Sequence, residues 1–276
     1  MSTAVTAAQA VQMVPGWLHA KASISELGGG LTNRSYRIDI AGQSFVLRLD
    51  DAHTHLFDLD RKTELSVLAA ASSEDLAPQV IHADPEPGIL VSRFVAGSTW
   101  TVNELGLRDN IDSLAELLRG VHSLPQSGVT FDAVAIARTY AQNLRADPEL
   151  HSFATVCVDS IAAMPGPESL CCCHNDVVLA NVIGLPRPVL LDWEYACDND
   201  PMFDLASLIR YHDLPDSLAA TLLDAYAGVR ATAFRERLGV QLRLYDALQW
   251  LWFANRQLAS PDSRQAERLR ELQQRI

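Results

Sequence analysis

Residues 173–183 read CHNDVVLANVI, and after a short turn with two prolines the chain continues as VLLDWEY over residues 189–195. Two short apolar runs around a stiff turn predict a hairpin, in which Asn181 opens the first strand and Asp192 closes the second. Because a hairpin returns the chain on itself, these two side chains can lie side by side. Asp176 is expected on the loop that leads into the hairpin. The stretch therefore predicts one site with three oxygen-bearing side chains.

Side chains of this kind are what phosphoryl transfer requires. Mg²⁺ prefers oxygen ligands, and a further carboxylate can orient the attacking hydroxyl group. Taken singly, Asn181 and Asp192 could merely cap turns, and Asp176 could be solvated. Their convergence at this spacing favours the functional interpretation for the set.

Length and composition indicate a globular protein with two closely packed lobes. The chain has 276 residues, of which 48% are hydrophobic and 20% charged, as is usual for soluble globular proteins. The 34 acidic residues outnumber the 22 Lys and Arg residues, which gives a formal net charge of −12. That sign disfavours binding to nucleic acid or to an anionic membrane, and it leaves room for a cationic substrate.

The spacing of apolar residues changes character part-way along the chain. Alternation predicts strands at residues 24–27, 36–40, 45–49 and 89–94. Helical spacing predicts helices at residues 58–71, 105–124, 134–144, 153–164, 202–212, 217–229 and 242–258, with short strands at 181–183 and 189–193. The pattern is α+β, with a small β-rich N-lobe over residues 1–95 and a larger helical C-lobe over residues 96–276. Ligands are expected in the cleft between the lobes.

Targeting signals and cysteine usage point to a cytoplasmic protein. Residues 1–10 lack the basic start of a secretory signal, and no stretch approaches the roughly 20 apolar residues of a membrane span. The cysteines are odd in number and three are adjacent, which fits neither a disulfide ladder nor a CxxC metal knuckle. We therefore expect reduced and mostly buried thiols, and metal binding by the triplet is the less favoured alternative, for Cys157, Cys171, Cys172, Cys173 and Cys197.

The H-x-D-x₄-N pattern of residues 174–181 and the DWEYA of residues 192–196 resemble the aminoglycoside phosphotransferase and choline kinase superfamily. The DWEYA form is most similar to the choline, ethanolamine and thiamine kinase branches. The resemblance extends to the nucleotide loop at 28–36, the third strand at 45–49, the charge-pairing helix at Glu64 and the segment after the metal aspartate at 203–206. It implies a two-lobed, protein-kinase-like fold, with ATP as phosphoryl donor and Mg²⁺ as cofactor.

The same resemblance assigns roles within the site. It implies that Asp176 is the catalytic carboxylate and that Asn181 and Asp192 bind Mg²⁺. Arg48 stands where many relatives have a phosphate-binding lysine, and Glu64 would hold it by an ion pair. The implied nucleotide-binding set is Gly29, Gly30, Asn33, Ser35, Arg48 and Glu64. A surface charge pair and a plain glycine turn are the structural alternatives for this set.

Alternation along the third strand places Arg48 on the face of Val46, opposite the apolar residues of that strand. His174 is expected to order the catalytic loop by hydrogen bonding. Asn175 stands where relatives often have glycine, which leaves the loop geometry open. Asp204 follows a proline in the first turn of a helix and is interpreted as structural. The pair His53 and His55 lies in a polar loop without further ligands and is expected to be solvated.

The last predicted helix carries aromatic residues, Tyr245, Trp250, Trp252 and Phe253. Aromatic positions in helices commonly form core. The functional alternative is a cation–π site for a cationic acceptor, with negative charge from Glu194, Asp198 and Asp200. The predicted acceptor-binding residues are Glu194, Tyr245, Trp250 and Phe253.

The predicted reaction is ATP-dependent phosphorylation of a hydroxyl group on a small metabolite. A choline- or ethanolamine-type amino alcohol or thiamine ranks first as acceptor, and an aminoglycoside or sugar is the alternative. A non-catalytic nucleotide-binding regulator is disfavoured, because the three site residues are all present. We expect a monomer or homodimer with no nucleic-acid or membrane partner.

Overall fold

A computed structural model of the chain describes residues 5–28, 33–50, 60–86, 88–184 and 186–276. The strands are β1 Ala22–Leu27, β2 Asn33–Ile40, β3 Gln43–Asp50, β4 Val80–Asp84, β5 Ile89–Arg93, β6 Cys171–Cys173, β7 Val182–Ile183, β8 Val189–Leu190 and β9 Cys197–Asn199. The helices are α1 Ala7–Met13, α2 Arg61–Ser73, α3 Arg108–His122, α4 Ala133–Asn143, α5 Pro148–Ala162, α6 Pro201–Tyr211, α7 Asp216–Ala227, α8 Ala231–Ala259 and α9 Ser263–Gln273. Short 3₁₀ turns lie at Glu104–Gly106, Leu179–Asn181 and Gly228–Arg230.

The first five strands form one antiparallel sheet in the order β1-β2-β3-β5-β4. Alternation along β3 buries Phe45, Leu47 and Leu49 and turns Val46 and Arg48 to the opposite face, as predicted. The buried face packs against α1. The other face therefore presents Arg48 toward the rest of the molecule.

The helical remainder is built around the 29-residue helix α8. Helices α4, α5, α6, α7 and α9 all pack against it. A single apolar core extends from Val67 and Leu68 of α2 through to Leu272 of α9. A β-rich first part and a helical remainder confirm the predicted α+β fold.

In the part of the chain that the structure describes, no helix is both long enough and apolar enough to cross a bilayer.

Several element boundaries differ from the predictions. Helix α5 starts at Pro148 rather than at residue 153, because Asp147 caps it by accepting hydrogen bonds from two backbone amides. The strand predicted over residues 189–193 ends at Leu190. Strands β4, β6 and β9 and helix α9 were not predicted.

Candidate active site

Asp204 of α6 holds the catalytic loop, which connects β6 to β7, in place by hydrogen bonds. Its carboxylate is fully buried and accepts hydrogen bonds from the backbone amides of His174 (2.9 Å) and Asn175 (2.7 Å) and from Nε2 of His122 (2.9 Å). Burial alone would raise the pKa of Asp204, but the hydrogen bonds from His122 and from the His174 amide outweigh burial and lower that pKa. Asp204 is thus a structural anchor, as predicted.

His174 orders the loop from within. Its Nδ1 accepts a hydrogen bond from the Asp176 amide at 3.3 Å, so Nε2 carries the proton and donates to the Leu191 carbonyl at 2.9 Å. The ring is fully buried, and burial lowers its pKa below the ordinary value. The imidazole is therefore neutral and positions the chain, which confirms the prediction for His174.

Two residues of the site have left-handed backbone conformations. Asn175 has φ of 63° and Asp192 has φ of 60°, a region that glycine, asparagine and aspartate tolerate best. The Asn175 side chain also donates to the Tyr195 carbonyl at 2.9 Å. Asparagine can thus replace the glycine of relatives and tie the loop to the DWEY segment.

Asp176, Asn181 and Asp192 line a single cavity. Asn181 Nδ2 donates to the Asp176 carboxylate at 3.2 Å and to its carbonyl at 3.1 Å. The Leu191 amide donates to the Asn181 carbonyl at 2.8 Å, which continues the β7–β8 ladder beside Asp192. The three side chains predicted to converge are therefore together, although Asp192 lies beyond the strand and not at its end.

Unbalanced negative charge collects at these residues. Burial, followed by the charges of Asp192 and Glu194, raises the pKa of Asp176 to about 7. Burial likewise raises the pKa of Asp192. The amide of Asn181 presents its nitrogen to Asp176, which leaves its oxygen for another partner. Oxygen donors with excess negative charge fit a hard divalent cation such as Mg²⁺.

Arg48 reaches this group from the sheet. Its Nη1 lies 2.5 Å from Glu64 Oε1 and 3.3 Å from Asp192 Oδ1. The Glu64 side chain is only 1% exposed, which excludes an ordinary surface pair. Although burial raises the pKa of Glu64, the charges of Arg48 and Arg61 outweigh it and hold that pKa below its ordinary value. The predicted Arg48–Glu64 ion pair is present.

Arg61 is a functional candidate that was not predicted from the sequence. Its guanidinium lies 2.6 Å from Asp50, 2.8 Å from Glu64 and 3.4 Å from Glu194. It also donates to Asn33 Oδ1 at 3.1 Å, and Asn33 Nδ2 donates to Glu194 at 2.6 Å. We call these five residues the interlobe cluster, because it joins β2, β3 and α2 to the DWEY segment. The signal available in the sequence was the position of Arg61, three residues before Glu64.

The remaining nucleotide-loop predictions are only partly visible. Ser35 pairs with Arg48 across the β2–β3 ladder. Gly29 and Gly30 lie outside the described residues. The solvated pair predicted at His53 and His55 lies outside them as well.

The cavity has a volume of about 630 Å³ and extends from Asp176 to helix α8. Tyr245 and Phe253 line it as predicted, together with Trp252. The prediction for Trp250 is wrong: its side chain is 2% exposed, is not among the cavity-lining residues, and packs on Phe153 of α5 at 4.6 Å. Residues two apart on a helix lie about 200° apart around its axis, so Trp250 and Trp252 face opposite sides.

Trp252 is fixed in the cavity wall by a neighbouring aromatic residue. Its Nε1 donates to the Tyr195 hydroxyl at 3.1 Å, and its ring meets Phe253 edge-on at 5.1 Å. The aromatic residues lining the cavity are Phe131, Tyr140, Tyr195, Phe203, Tyr211, Tyr245, Trp252 and Phe253. The acidic ones are Asp60, Asp132, Asp176, Asp192 and Glu194, and no Lys, Arg or His is among the described lining residues.

The three acidic residues predicted to add negative charge around a cation are bound to other groups in the structure. Glu194 lines the cavity but is bound into the interlobe cluster. Asp198 accepts the amides of Ser127 and Gly128 at 2.8 and 2.9 Å. Asp200 caps α6 and pairs with an arginine at 2.8 Å. Asp198 and Asp200 are therefore structural, and neither is among the residues that line the cavity.

The chain also matches a known protein family. Residues 23–251 match the Phosphotransferase enzyme family. The chain belongs to this family. Protein LicA of Haemophilus influenzae is 26% identical to the phosphotransferase over 243 residues, which span 81% of this chain and 70% of LicA.

Solved structures agree with the family. A choline/ethanolamine kinase family protein from Mesorhizobium loti is 25% identical, with a TM-score of 0.72 over 96% of this chain and 90% of its own. The fold of choline kinase LicA from Streptococcus pneumoniae also matches, at 22% identity and a TM-score of 0.72 over 92% of this chain and 94% of its own. The phosphotransferase is a small-molecule kinase that phosphorylates a hydroxyl group.

Proposed function

We propose that this phosphotransferase moves the γ-phosphoryl group of ATP onto the hydroxyl of a small cationic amino alcohol of the choline or ethanolamine type. The observation that carries the proposal is the cavity beside Asp176, which is lined by aromatic rings and carboxylates with no basic side chain among its described residues. Aromatic faces attract quaternary or protonated ammonium groups, and the attraction is strongest where water is excluded. Thiamine, which is an aromatic cation, fits the same aromatic and acidic lining of the cavity.

The residues at the proposed phosphoryl-transfer site beside Asp176 have distinct roles. Asp176 accepts the proton of the acceptor hydroxyl and aims its oxygen at the donor. Asn181 and Asp192 would hold Mg²⁺, which when bound neutralises charge on the donor phosphates. Arg48, fixed by Glu64, presents a forked guanidinium to those phosphates.

The other residues proposed to contact the nucleotide precede or belong to β2. Gly29 and Gly30, outside the described residues, are proposed to contact the phosphates, because glycine has no Cβ to hold a backbone amide away. Ser35 adjoins Arg48 on the neighbouring strand. Asn33 contributes indirectly, because both of its amide atoms are bound within the interlobe cluster.

An aminoglycoside or another amino sugar is the second candidate acceptor. Asp60 and Asp132 add negative charge to the cavity beyond the catalytic carboxylates, and a volume of about 630 Å³ exceeds what one ammonium group needs. Polycationic sugars would use several carboxylates at once, whereas choline would use the aromatic wall. A panel of acceptors assayed in single turnovers with ATP separates these two classes.

Paired substitutions on α8 test the aromatic wall. Trp252→Leu keeps an apolar side chain but removes the ring, and loss of a cation–π contact of about 0.5–2 kcal/mol should raise KM for the cationic acceptor several-fold. KM for ATP should change little. Trp250→Leu is the matched control, because it removes the same ring from the core side of the helix. It should lower Tm without selectively raising the acceptor KM.

A neutral analogue completes the test. In the carbon isostere of choline, a tert-butyl group replaces the trimethylammonium group at nearly the same size. Trp252→Leu should affect KM for this neutral alcohol much less than KM for choline. Equal losses for both alcohols would assign the Trp252 ring to packing alone, and a neutral sugar as best substrate would overturn the amino-alcohol assignment.

A further inference from the structure

Next to the catalytic loop, and not among the residues that line the cavity, lies a cluster of two thiols and an imidazole. Cys171 and Cys173 occupy alternate positions of β6, so their side chains lie on the same face of the strand, with sulfur atoms 3.7 Å apart. His122, in the last turn of α3, brings a ring nitrogen to them. One potential ligand atom from each residue lies within 4.8 Å of the other two. We call these three residues the thiol–imidazole cluster.

Hydrogen bonds fix which nitrogen of His122 carries the proton. Nε2 lies 2.9 Å from the Asp204 carboxylate, which also accepts the backbone amides of His174 and Asn175, so Nε2–H donates to it. Nδ1 then carries the lone pair, toward which the Tyr226 hydroxyl donates at 2.7 Å. A carboxylate behind the imidazole is the arrangement that orients histidine ligands in metal proteins. Nδ1 is thus the nitrogen available to a metal ion, which would replace the Tyr226 hydroxyl as the partner of its lone pair.

We propose that the thiol–imidazole cluster binds one Zn²⁺ ion through both sulfurs and Nδ1 of His122. Two thiolates at about 2.3 Å from a tetrahedral Zn²⁺ lie roughly 3.8 Å apart, close to the 3.7 Å between Cys171 and Cys173. The two thiol protons pass to solvent as the Zn–S bonds form, and the Tyr226 hydroxyl or a water fills the fourth position. Cys171 is only half-buried, which gives the ion a way in.

The types of ligand atom distinguish the thiol–imidazole cluster from the proposed phosphoryl-transfer site beside Asp176. Sulfur and imidazole favour Zn²⁺, whereas the oxygens of Asn181 and Asp192 favour Mg²⁺. Asp204 links the two sites, because its carboxylate accepts hydrogen bonds from His122 of the cluster and from the amides of His174 and Asn175 in the catalytic loop. Zn²⁺ at the cluster therefore braces β6 and the start of the catalytic loop, and its role is structural.

Cobalt provides the direct test. Co²⁺ titrated into the full-length, metal-free protein with its thiols kept reduced should produce an intense near-ultraviolet thiolate-to-cobalt absorption band that saturates at one ion per chain. Zn²⁺ should abolish this band and raise Tm. Co²⁺ bound by the oxygens of the transfer site gives no such band. Absence of the band at saturating Co²⁺ would overturn the proposal.

Substitutions locate the site. Cys171→Ala and Cys173→Ala should each remove the band and weaken Zn²⁺ binding more than about 100-fold, since even outer-shell changes cost about 10- to 100-fold. Cys157→Ala removes a buried thiol of α5 and should leave both unchanged. If the buried Cys173 variant does not fold, the half-buried Cys171 variant carries the test. A band that persists in Cys171→Ala would overturn the assignment.

Discussion

Asp176 experiences two opposing requirements. As the proposed acceptor of a hydroxyl proton it must be ionised, yet burial and the nearby carboxylates of Asp192 and Glu194 raise its pKa to about 7. A raised pKa means that its charge destabilises the folded state relative to the unfolded chain, where the carboxylate is solvated. The residue that serves the chemistry is therefore a cost to the fold.

Asp176→Asn should separate these two effects. kcat should fall at least 100-fold, because a positioned base contributes about 10²–10⁴-fold, while KM for ATP changes little. In metal-free buffer the variant should be more stable than the wild type above about pH 7. That difference should shrink as pH falls and vanish near the ordinary pKa of aspartate, about 4.

Urea unfolding followed across this pH range measures the stability difference, and steady-state kinetics measures kcat. A loss confined to ATP affinity would reassign Asp176 to the nucleotide site. A variant less stable than the wild type at pH 8 would contradict the electrostatic account.

At the scale of elements, the catalytic loop depends on a contact from α6. Asp204 supplies a buried carboxylate to two loop amides and to His122, so three donors share one charge. The loop has little regular structure of its own. Its shape is therefore stabilised chiefly from outside, by the helix that follows it in sequence.

Asp204→Asn should lower the free energy of unfolding by about 3 kcal/mol, because an amide turns donors toward donors and removes the buried charge. Asp132→Asn is the matched control, since Asp132 caps α4 and asparagine is an equally good N-cap. Its stability should change by less than about 0.5 kcal/mol. Denaturant titration of both variants checks the prediction, and equal small losses would contradict an anchoring role for Asp204.

Most elements that sequence patterns predicted have several periods of alternation or helical spacing, whereas β7 and β8 were predicted from two short apolar runs around a turn. Strand β6 has three residues and pairs with β9, which is distant in sequence, so no local period marks it. Arg61 likewise finds Glu194 and Asn33 far away in the chain. Trp250 and Trp252 belong to one predicted helix, but which side of α8 faces the cavity depends on the elements packed around it. Local chemistry was predictable, and long-range pairing was not.

Across the whole molecule, α2 connects the sheet to the helical part. Its apolar side shares the helical core through Val67 and Leu68, and the Leu190 amide donates to the carbonyl of Leu76 just after α2 at 2.9 Å. Its charged side carries Arg61 and Glu64 into the interlobe cluster. The relative position of Arg48 and Asp192 therefore depends on this helix.

Arg61→Gln should lower kcat/KM for both substrates by roughly 100-fold, because small misplacements of reacting groups have effects of that size. Arg37→Gln removes the same charge from an exposed pair on β2 and should have little effect. Kinetics for both substrates, together with Tm, measure the outcome. Normal kcat/KM in Arg61→Gln would show that the interlobe cluster does not position the transfer site.

The charge of the cavity also bears on how the reaction ends. Phosphorylation adds about 1.5 to 2 negative charges to the acceptor at pH 7. The cavity wall contains five carboxylates, of which Asp192 and Glu194 are paired with Arg48 and Arg61. The remaining carboxylates, which draw in a cation, thus repel the phosphate ester made from it. Electrostatics alone then favours departure of the product over its rebinding, and accumulated product should compete poorly with fresh acceptor.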